Sequence, residues 1–266
     1  MSAHPEAGSA PASAAEVPVA QRRRIDDLLQ PLSSVPDSRL DREIVARLEQ
    51  IAPLRHLLVV ANDHGATGIE PAPPRMHGSM AQELQRIHAA MIGERDPLAA
   101  HAQQEWRPLV GTVEQHVSQL RARVRNPDLV VGWLQRNAER GGFALAVMPG
   151  RAWLSRLSIH AFSAQVLDEP SVLALFYAAQ RLAVALEMRA KPYIPALLAL
   201  RFTAREVDVL RAGLRGASDD EIAAGLGLSV DAIRYYFKKF KHRVPVEIGH
   251  LRPRDLSRVL HQLGKL

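Results

Sequence analysis

Residues 202–244 of the chain read FTAREVDVLRAGLRGASDDEIAAGLGLSVDAIRYYFKKFKHRV. Two capping boxes lie 15 residues apart in this stretch, Thr203-Ala204-Arg205-Glu206 and Ser218-Asp219-Asp220-Glu221. In a capping box, the hydroxyl and the carboxylate accept hydrogen bonds from free backbone N–H groups at the start of a helix. Apolar residues follow each box at helical spacing. We therefore expect two short helices, one after Thr203 and one after Ser218.

A tight turn and a third helix follow the second capping box. Gly227 can take the positive φ that a helix end requires, and Ser229 can cap the next helix. That helix is predicted to run from Val230 to about His242, with Ile233 and Phe237 buried and basic side chains elsewhere. The order of helix, three-residue turn and basic helix is typical of a DNA-binding helix-turn-helix. A solvated basic helix in an unrelated bundle is the alternative.

The net charge of +6 is concentrated near the end of the 266-residue chain. Residues 1–200 carry 21 Lys/Arg and 20 Asp/Glu, whereas residues 201–266 carry 13 and 8. A small basic segment on a nearly neutral body is typical of a nucleic-acid-binding module, although a membrane-surface patch has the same charge pattern.

Residues 202–244 resemble the LuxR-type, or GerE-like, DNA-binding domain. The matching residues are Thr203, Arg205, Glu206, Val209, Leu210, Gly216, Ser218, Glu221, Ile222, Ala223, Leu226, Leu228, Ser229 and Ile233. Ala232 stands where that family usually has Thr, Tyr236 stands where His is common, and the segment 244–251 is looser. The resemblance implies an all-α, four-helix domain of a transcription regulator that binds double-stranded DNA.

The third helix supplies the expected DNA contacts. Arg234 and Lys238 are one helical turn apart and project from the same face, and they match positions that contact bases in relatives of this family. We expect them to read bases in the major groove, and other cations to neutralise phosphates. The predicted DNA-binding residues are Ser229, Arg234, Tyr235, Lys238, Lys239, Lys241 and Arg243, of which Lys239, Lys241 and Arg243 are assigned to phosphates. Tyr235 and Tyr236 are each expected to contact either the groove or the DNA backbone. For each cation, the alternative is a side chain that is only solvated and contacts no DNA.

A last helix after Pro253 carries an apolar stripe at helical spacing, Leu256, Val259, Leu260 and Leu263. The family resemblance makes this stripe a dimerisation surface. The alternative is packing within its own domain. A homodimer would read two half-sites about one turn of DNA apart.

The amino-terminal part alternates predicted helices and strands. Its predicted elements are helices over 21–50 with a break at Pro36 and an N-cap at Asp37 or Ser38, a strand over 57–61, a helix capped by Ser79, a helix over 128–140, a hairpin of 143–148 and 153–162 around 149–152, and a helix over 171–187. We divide the chain into a disordered tail (1–21), a sensing and dimerisation domain (22–190), a linker (191–199) and a helix-turn-helix domain (200–266). The predicted fold class is α+β, an α/β/α sandwich followed by the four-helix domain.

The order of these elements resembles the autoinducer-binding domain of LuxR-type quorum regulators. Such domains enclose an N-acyl-homoserine lactone, and Asp96-Pro97 matches the pair whose Asp binds the ligand amide. Ile87, Glu83 and Gly111 stand where the family has Tyr, Trp and Trp. The resemblance thus implies an altered or vestigial ligand pocket lined by these five residues. Alternatively, Asp96 caps a helix that begins at Pro97, and Ile87 belongs to the core.

Several classes of function are disfavoured by the sequence. The chain has no Cys, which excludes disulfide scaffolds and thiol catalysis, and it has no phosphate-loop, serine-hydrolase or HExxH motif. We expect no catalytic residues, metal or cofactor, no membrane partner and a cytoplasmic location. The expected function is sequence-specific transcription regulation with a possible small-molecule ligand. The alternative is an anti-regulator that forms heterodimers with another LuxR-type protein.

Overall fold

The computed structural model describes residues 17–63, 75–79, 97–112, 114–116, 118, 144–249 and 251–266. In this part of the chain the helices are α1 (Val19–Leu29), α2 (Asp37–Leu48), α3 (Pro97–Glu105), α4 (Glu169–Ala190), α5 (Ile194–Ala199), α6 (Ala204–Leu214), α7 (Asp219–Leu226), α8 (Val230–Arg243) and α9 (Pro253–Gln262), and a 3-10 helix spans Gln30–Ser34. The strands are β1 (His56–Asp63), β2 (Arg75–Gly78), β3 (Leu109–Thr112), β4 (Ala144–Arg151) and β5 (Ser155–Ser163). The mixture of helices and antiparallel strands confirms the α+β class.

The five strands form one antiparallel sheet in the order β2-β1-β5-β4-β3. Because successive side chains of a strand point to opposite faces, the sheet has two distinct apolar faces. The face packed against α2 and α4 carries Leu57, Val59, Ala146, Met148, Leu157 and Ile159. The opposite face carries Leu58, Val60, Leu145, Val147 and Phe162, all buried. The predicted strand over 57–61 is confirmed as the centre of β1.

The predicted hairpin is confirmed, but its turn lies further along the chain. Residues 149–151, expected in the turn, are the last residues of β4, and Arg151 pairs with Arg156. The side-chain amide of Gln180 on α4 donates to the Pro149 carbonyl at 2.7 Å and accepts from the Arg151 N–H at 3.2 Å. This bridge from the helix extends the strand past the proline, and the turn follows at residues 152–154.

A buried carboxylate fixes that turn. Glu187 of α4 accepts hydrogen bonds from the N–H groups of Trp153 and Leu154 and from the hydroxyl of Ser155, each at 2.8 Å. Burial raises the pKa of Glu187, although these hydrogen bonds and the charge of Lys191 oppose the shift. The hairpin turn is therefore tied to the long helix beneath it.

The long helix α4 is the centre of the helical layer. Its N-cap is Asp168, which accepts from the Ser171 N–H at 3.0 Å, so the prediction that Ser171 opens the helix is wrong by a few residues. Of the described residues, only α4 is long and apolar enough to cross a membrane by length and composition. A core helix passes the same test, and α4 packs on β4, β5 and α1 with Leu175, Ala179 and Leu182 fully buried.

Two other predicted boundaries differ from the structure. Helix α1 already begins at Val19, inside the segment expected to be a tail, and residues 1–16 lie outside the described residues. Helix α2 begins at Asp37, so its N-cap is Pro36 and not Asp37 or Ser38. The helix expected after Ser79 and the helix expected over 128–140 also lie outside the described residues. The second helical layer of the α/β/α sandwich thus stays a prediction.

Helices α5 to α9 share a second apolar core. Both predicted capping boxes are present, with Thr203 and Ser218 each bound to the N–H three residues on. Gly227 ends α7 in the left-handed region at φ 63°, as the predicted turn requires. Helix α5 lies inside the segment 191–199 interpreted as a linker, and its Ile194 is buried in this core. Leu154, from the hairpin turn, is buried in the same core.

Candidate nucleic-acid interface

Helix α8 is anchored by its apolar side. Ile233, Phe237 and Phe240 recur at helical spacing and are buried against α6 and the rest of the second core. The hydroxyl of Ser229 accepts from the Ala232 N–H at 3.2 Å, so this predicted DNA-binding residue serves as the N-cap of α8. The cap and the apolar side fix which face of α8 meets solvent.

The opposite face of α8 is exposed and mostly cationic. It carries Arg234, Tyr235, Lys238 and Lys241, with 66% of the Arg234 side chain and 65% of Tyr235 exposed. Arg234 lies 3.6 Å from carboxylate oxygens of Asp219 and Asp231. Exposed ion pairs at such distances are weak, so Arg234 can exchange these carboxylates for another partner. We call these four residues the outer face of α8.

Two of the predicted phosphate ligands have a different partner. The Glu206 carboxylate is buried, with 2% of its side chain exposed, and lies 3.0 Å from Lys239 Nζ and 2.9 Å from Arg243 Nη1. Arg243 also donates to the Arg201 carbonyl, and its guanidinium lies 5.1 Å from the centre of the Phe202 ring. These contacts tie the end of α8 to the start of α6.

The charge of Glu206 depends on those contacts. Burial alone would raise the pKa of Glu206. The hydrogen bonds from the Thr203 N–H, Lys239 and Arg243, with the charge of Arg243, outweigh burial and lower the pKa to about 2. Because Lys239 and Arg243 compensate a buried carboxylate, we revise their assignment from phosphate binding to positioning of α8.

Tyr236 is half-buried and stacks on Phe240, which removes it from the candidate contacts.

The apolar stripe of α9 is inside the protein. Leu256, Val259, Leu260 and Leu263 are at most 5% exposed and belong to the second core, with α9 packed on α6. Buried side chains cannot form a surface for a second subunit. The interpretation of this stripe as a dimerisation surface is therefore wrong, and the alternative, packing within its own domain, is confirmed.

The predicted ligand residues are only partly described. Glu83, Ile87 and Asp96 lie outside the described residues, so their assignment stays a prediction, and Pro97 is the first described residue of α3. Gly111 lies on β3 opposite Leu145, on the sheet face turned away from α4. A Cβ at Gly111 would come within 2.6 Å of Gln115 Oε1 and 3.4 Å of His116 Nε2. A Trp at this position would thus displace the side chain of Gln115.

Beside Gly111 lies a buried histidine that sequence reasoning missed. The Nε2 of His116 lies 2.8 Å from the Leu145 carbonyl, and its buried Nδ1 has no hydrogen-bond partner among the described residues. Burial lowers the pKa of His116, which favours a neutral ring with Nε2–H donating and Nδ1 free to accept. On the same sheet face, the Ser158 hydroxyl and the His160 Nε2 lie 3.3 Å apart and are buried. No motif in the sequence marks these buried polar side chains.

No cluster of three or more His, Asp or Glu side chains suited to a metal ion occurs among the described residues. The structure offers two candidate sites instead. One is a group of buried polar side chains on an otherwise apolar sheet face, and the other is the exposed basic helix α8.

The element order defines a class of protein with a helix-flanked antiparallel sheet followed by a small helical unit. The chain shares this fold with Escherichia coli SdiA, at 11% identity and a TM-score of 0.54, covering 92% of this chain and 98% of that one. SdiA in complex with octanoyl-rac-glycerol gives 13% identity and a TM-score of 0.55, covering 91% and 94%. At these identities the likeness is one of fold. No family model matches the chain, and no curated protein matches it at a significant level.

Proposed function

We propose that the chain is a LuxR-type transcription regulator in which α7 and α8 form a helix-turn-helix and the outer face of α8 enters the major groove of DNA. The observation that carries the proposal is that Arg234, Tyr235, Lys238 and Lys241 are exposed together on one side of a helix whose other side is buried. A major groove about 12 Å wide admits an α-helix, and Arg or Lys is the commonest reader of guanine.

The local structure supports this use of α8. The left-handed Gly227 and the Ser229 cap set the turn between α7 and α8, and the Glu206 cluster fixes the far end of α8. A recognition helix must be held rigidly, because a small displacement moves its side chains away from the base edges. The candidate base contacts are Arg234 and Lys238, and Lys241 is the candidate phosphate contact.

The test uses the full chain and a pool of random-sequence duplexes, from which the tightest binding sites are selected. Arg234→Ala and Lys238→Ala are expected to weaken binding to the selected site by about tenfold or more, since a good base contact contributes about 1–3 kcal/mol. Arg23→Ala, an exposed arginine on α1, is the matched control and should bind as the wild type. Undiminished binding by both α8 variants would refute the assignment, and absence of DNA binding at low salt would favour the anti-regulator alternative.

We also propose that the sheet domain binds a small molecule on the face that carries Gly111, His116 and Ser158. The supporting observations are the unpartnered, buried Nδ1 of His116 and the shared fold with SdiA, which binds octanoyl-rac-glycerol. A neutral Nδ1 would accept a hydrogen bond from an amide N–H or a hydroxyl.

Thermal melts test this second proposal with 1-octanoylglycerol and a panel of N-acyl-homoserine lactones. A ligand that binds only the native state raises the melting temperature in a concentration-dependent way. We expect a rise with at least one of these compounds and a smaller rise in His116→Phe, which lacks the acceptor. No shift with any compound, or an equal shift in the variant, would contradict the assignment.

The homodimer stays a prediction. Its interface is not assigned, because the apolar stripe of α9 is buried and cannot contact a second subunit. Sedimentation of the full chain measures the state of association.

A further inference from the structure

Two arginines are paired across the hairpin just before its turn. Arg151, the last residue of β4, lies directly opposite Arg156 of β5. The Ala152 N–H donates to the Ser155 carbonyl at 2.9 Å, which makes these two residues the hydrogen-bonded pair next to the turn. Because the two kinds of pair alternate along an antiparallel ladder, Arg151 and Arg156 form a non-hydrogen-bonded pair, in which the Cα atoms are only about 4.5 Å apart.

Both side chains lie on the sheet face turned away from α4. A Cβ at Gly150 would meet the Ala179 carbonyl oxygen of α4, so Gly150 faces that helix and its neighbour Arg151 faces the other way. Arg156 follows the same alternation, because its neighbour Leu157 belongs to the core against α4. The two guanidinium groups therefore extend from the same face of the sheet.

This pairing is unfavourable by itself, because like charges directly opposite each other on two strands repel. Both arginines are exposed, and within the described part of the chain neither guanidinium group has a hydrogen-bond or ion-pair partner. An oxyanion bound between them would offset the repulsion, since a guanidinium group binds carboxylate or phosphate oxygens through paired hydrogen bonds. We call Arg151 and Arg156 the arginine pair.

The next row of residues on this face is buried. Ser158 lies two residues beyond Arg156 on β5, about 7 Å along the strand, and its cross-strand neighbours are Pro149 on β4 and Val60 on β1. Pro149 and Val60 offer apolar surface, and Ser158 offers a hydroxyl. The arginine pair thus lies at the exposed end of the same sheet face as Ser158 and the proposed small-molecule site.

We propose that the ligand of this sheet face is an anionic amphiphile, whose carboxylate or phosphate head is bound by Arg151 and Arg156 and whose alkyl body extends past Ser158 over Pro149 and Val60. The inference rests on the proposed small-molecule site and names the chemical class of its ligand. An uncharged head would leave the repulsion between the two guanidinium groups in place, whereas an oxyanion offsets it. The affinity therefore depends on the charge of the head group.

Calorimetric titration of the full chain with octanoate, octyl phosphate, octanol and inorganic phosphate tests the proposal, with each amphiphile kept below its micellar concentration. At least one of the two amphiphilic anions is expected to bind saturably. Octanol, which has the alkyl body without the charge, and inorganic phosphate, which has the charge without the alkyl body, should each bind at least about tenfold more weakly. The amphiphilic anion that binds more tightly identifies the head group as carboxylate or phosphate.

The double variant Arg151→Gln/Arg156→Gln should bind that anion at least about tenfold more weakly and should bind octanol as the wild type does. The variant should be at least as stable as the wild type in ligand-free buffer, because it removes the repulsion. The matched control Arg39→Gln/Arg42→Gln has the same change of charge on the exposed side of α2 and should bind the anion as the wild type does. Failure of both amphiphilic anions to bind, equal binding by the arginine-pair variant, or equally tight binding of inorganic phosphate would overturn the proposal.

The outcome for the small-molecule site itself is separate. If a neutral compound raises the melting temperature in a His116-dependent way while neither anion binds, the small-molecule site stands and the anionic class of its ligand is wrong. Failure of every compound, neutral and anionic, would contradict both proposals.

Discussion

Glu206 should make the folded protein lose stability as the pH falls into the acid range. Its pKa is about 2 in the folded protein and near 4.5 when unpaired, so its contribution is fully present above about pH 5 and is lost as the pH falls towards 2. We expect Glu206→Gln to be destabilised by about 2 kcal/mol near pH 6 and to lose less further stability on acidification than the wild type.

Urea unfolding of both proteins at pH 6, 4 and 3 measures this effect. Glu247→Gln, which changes an exposed carboxylate outside the cluster, is the control and should keep the wild-type pH slope. A Glu206→Gln protein with the same slope as the wild type would show that the cluster does not hold the folded pKa down.

Substitution of glycine by alanine should have opposite effects on stability at Gly150 and at Gly225. A Cβ at Gly150 would lie 2.4 Å from the Ala179 carbonyl oxygen of α4, so Gly150→Ala must separate strand and helix and should cost about 1–3 kcal/mol. A Cβ at Gly225, inside α7, would meet nothing within 4 Å, so Gly225→Ala should stabilise the helix by up to about 1 kcal/mol. Thermal melts report both changes, and a stable Gly150→Ala would disprove the close packing of α4 on β4.

Helix α9 belongs to the core of the carboxyl-terminal helices. Leu260→Ala removes a fully buried side chain and should destabilise the protein by about 2–5 kcal/mol. The variant should sediment with the same association state as the wild type, since Leu260 is not on a surface. A change of association without loss of stability would restore the dimerisation interpretation.

Helix α8 contains cations of two kinds, and salt dependence separates them. Lys241 is exposed with no carboxylate partner among the described residues, whereas Lys239 lies against Glu206. Lys241→Ala should reduce the slope of log K against log salt concentration by about 1, because one fewer counterion is released on DNA binding. Lys239→Ala should leave that slope nearly unchanged, and equal loss in both variants would contradict the revised assignment.

At the scale of the whole molecule, the sequence predicts those features that depend on residues close together in the chain. The capping boxes, the Gly227 turn and the buried strand β1 depend on neighbouring residues, and the structure has each of them. The partners of Arg243 could not be predicted, because Glu206 is 37 residues away and only the packing of α6 on α8 joins them.

The hairpin turn has a consequence for cutting the protein into pieces. The Glu187 carboxylate accepts hydrogen bonds from backbone N–H groups of the turn, and Leu154 of that turn is buried in the same carboxyl-terminal core as Ile194 and Leu197. A cut between residues 199 and 200 would leave these three apolar side chains facing water on the first fragment and a gap in the second. The two parts of the chain therefore share a hydrophobic core and are not joined only by a flexible linker. Each fragment would be less stable alone than it is in the intact chain.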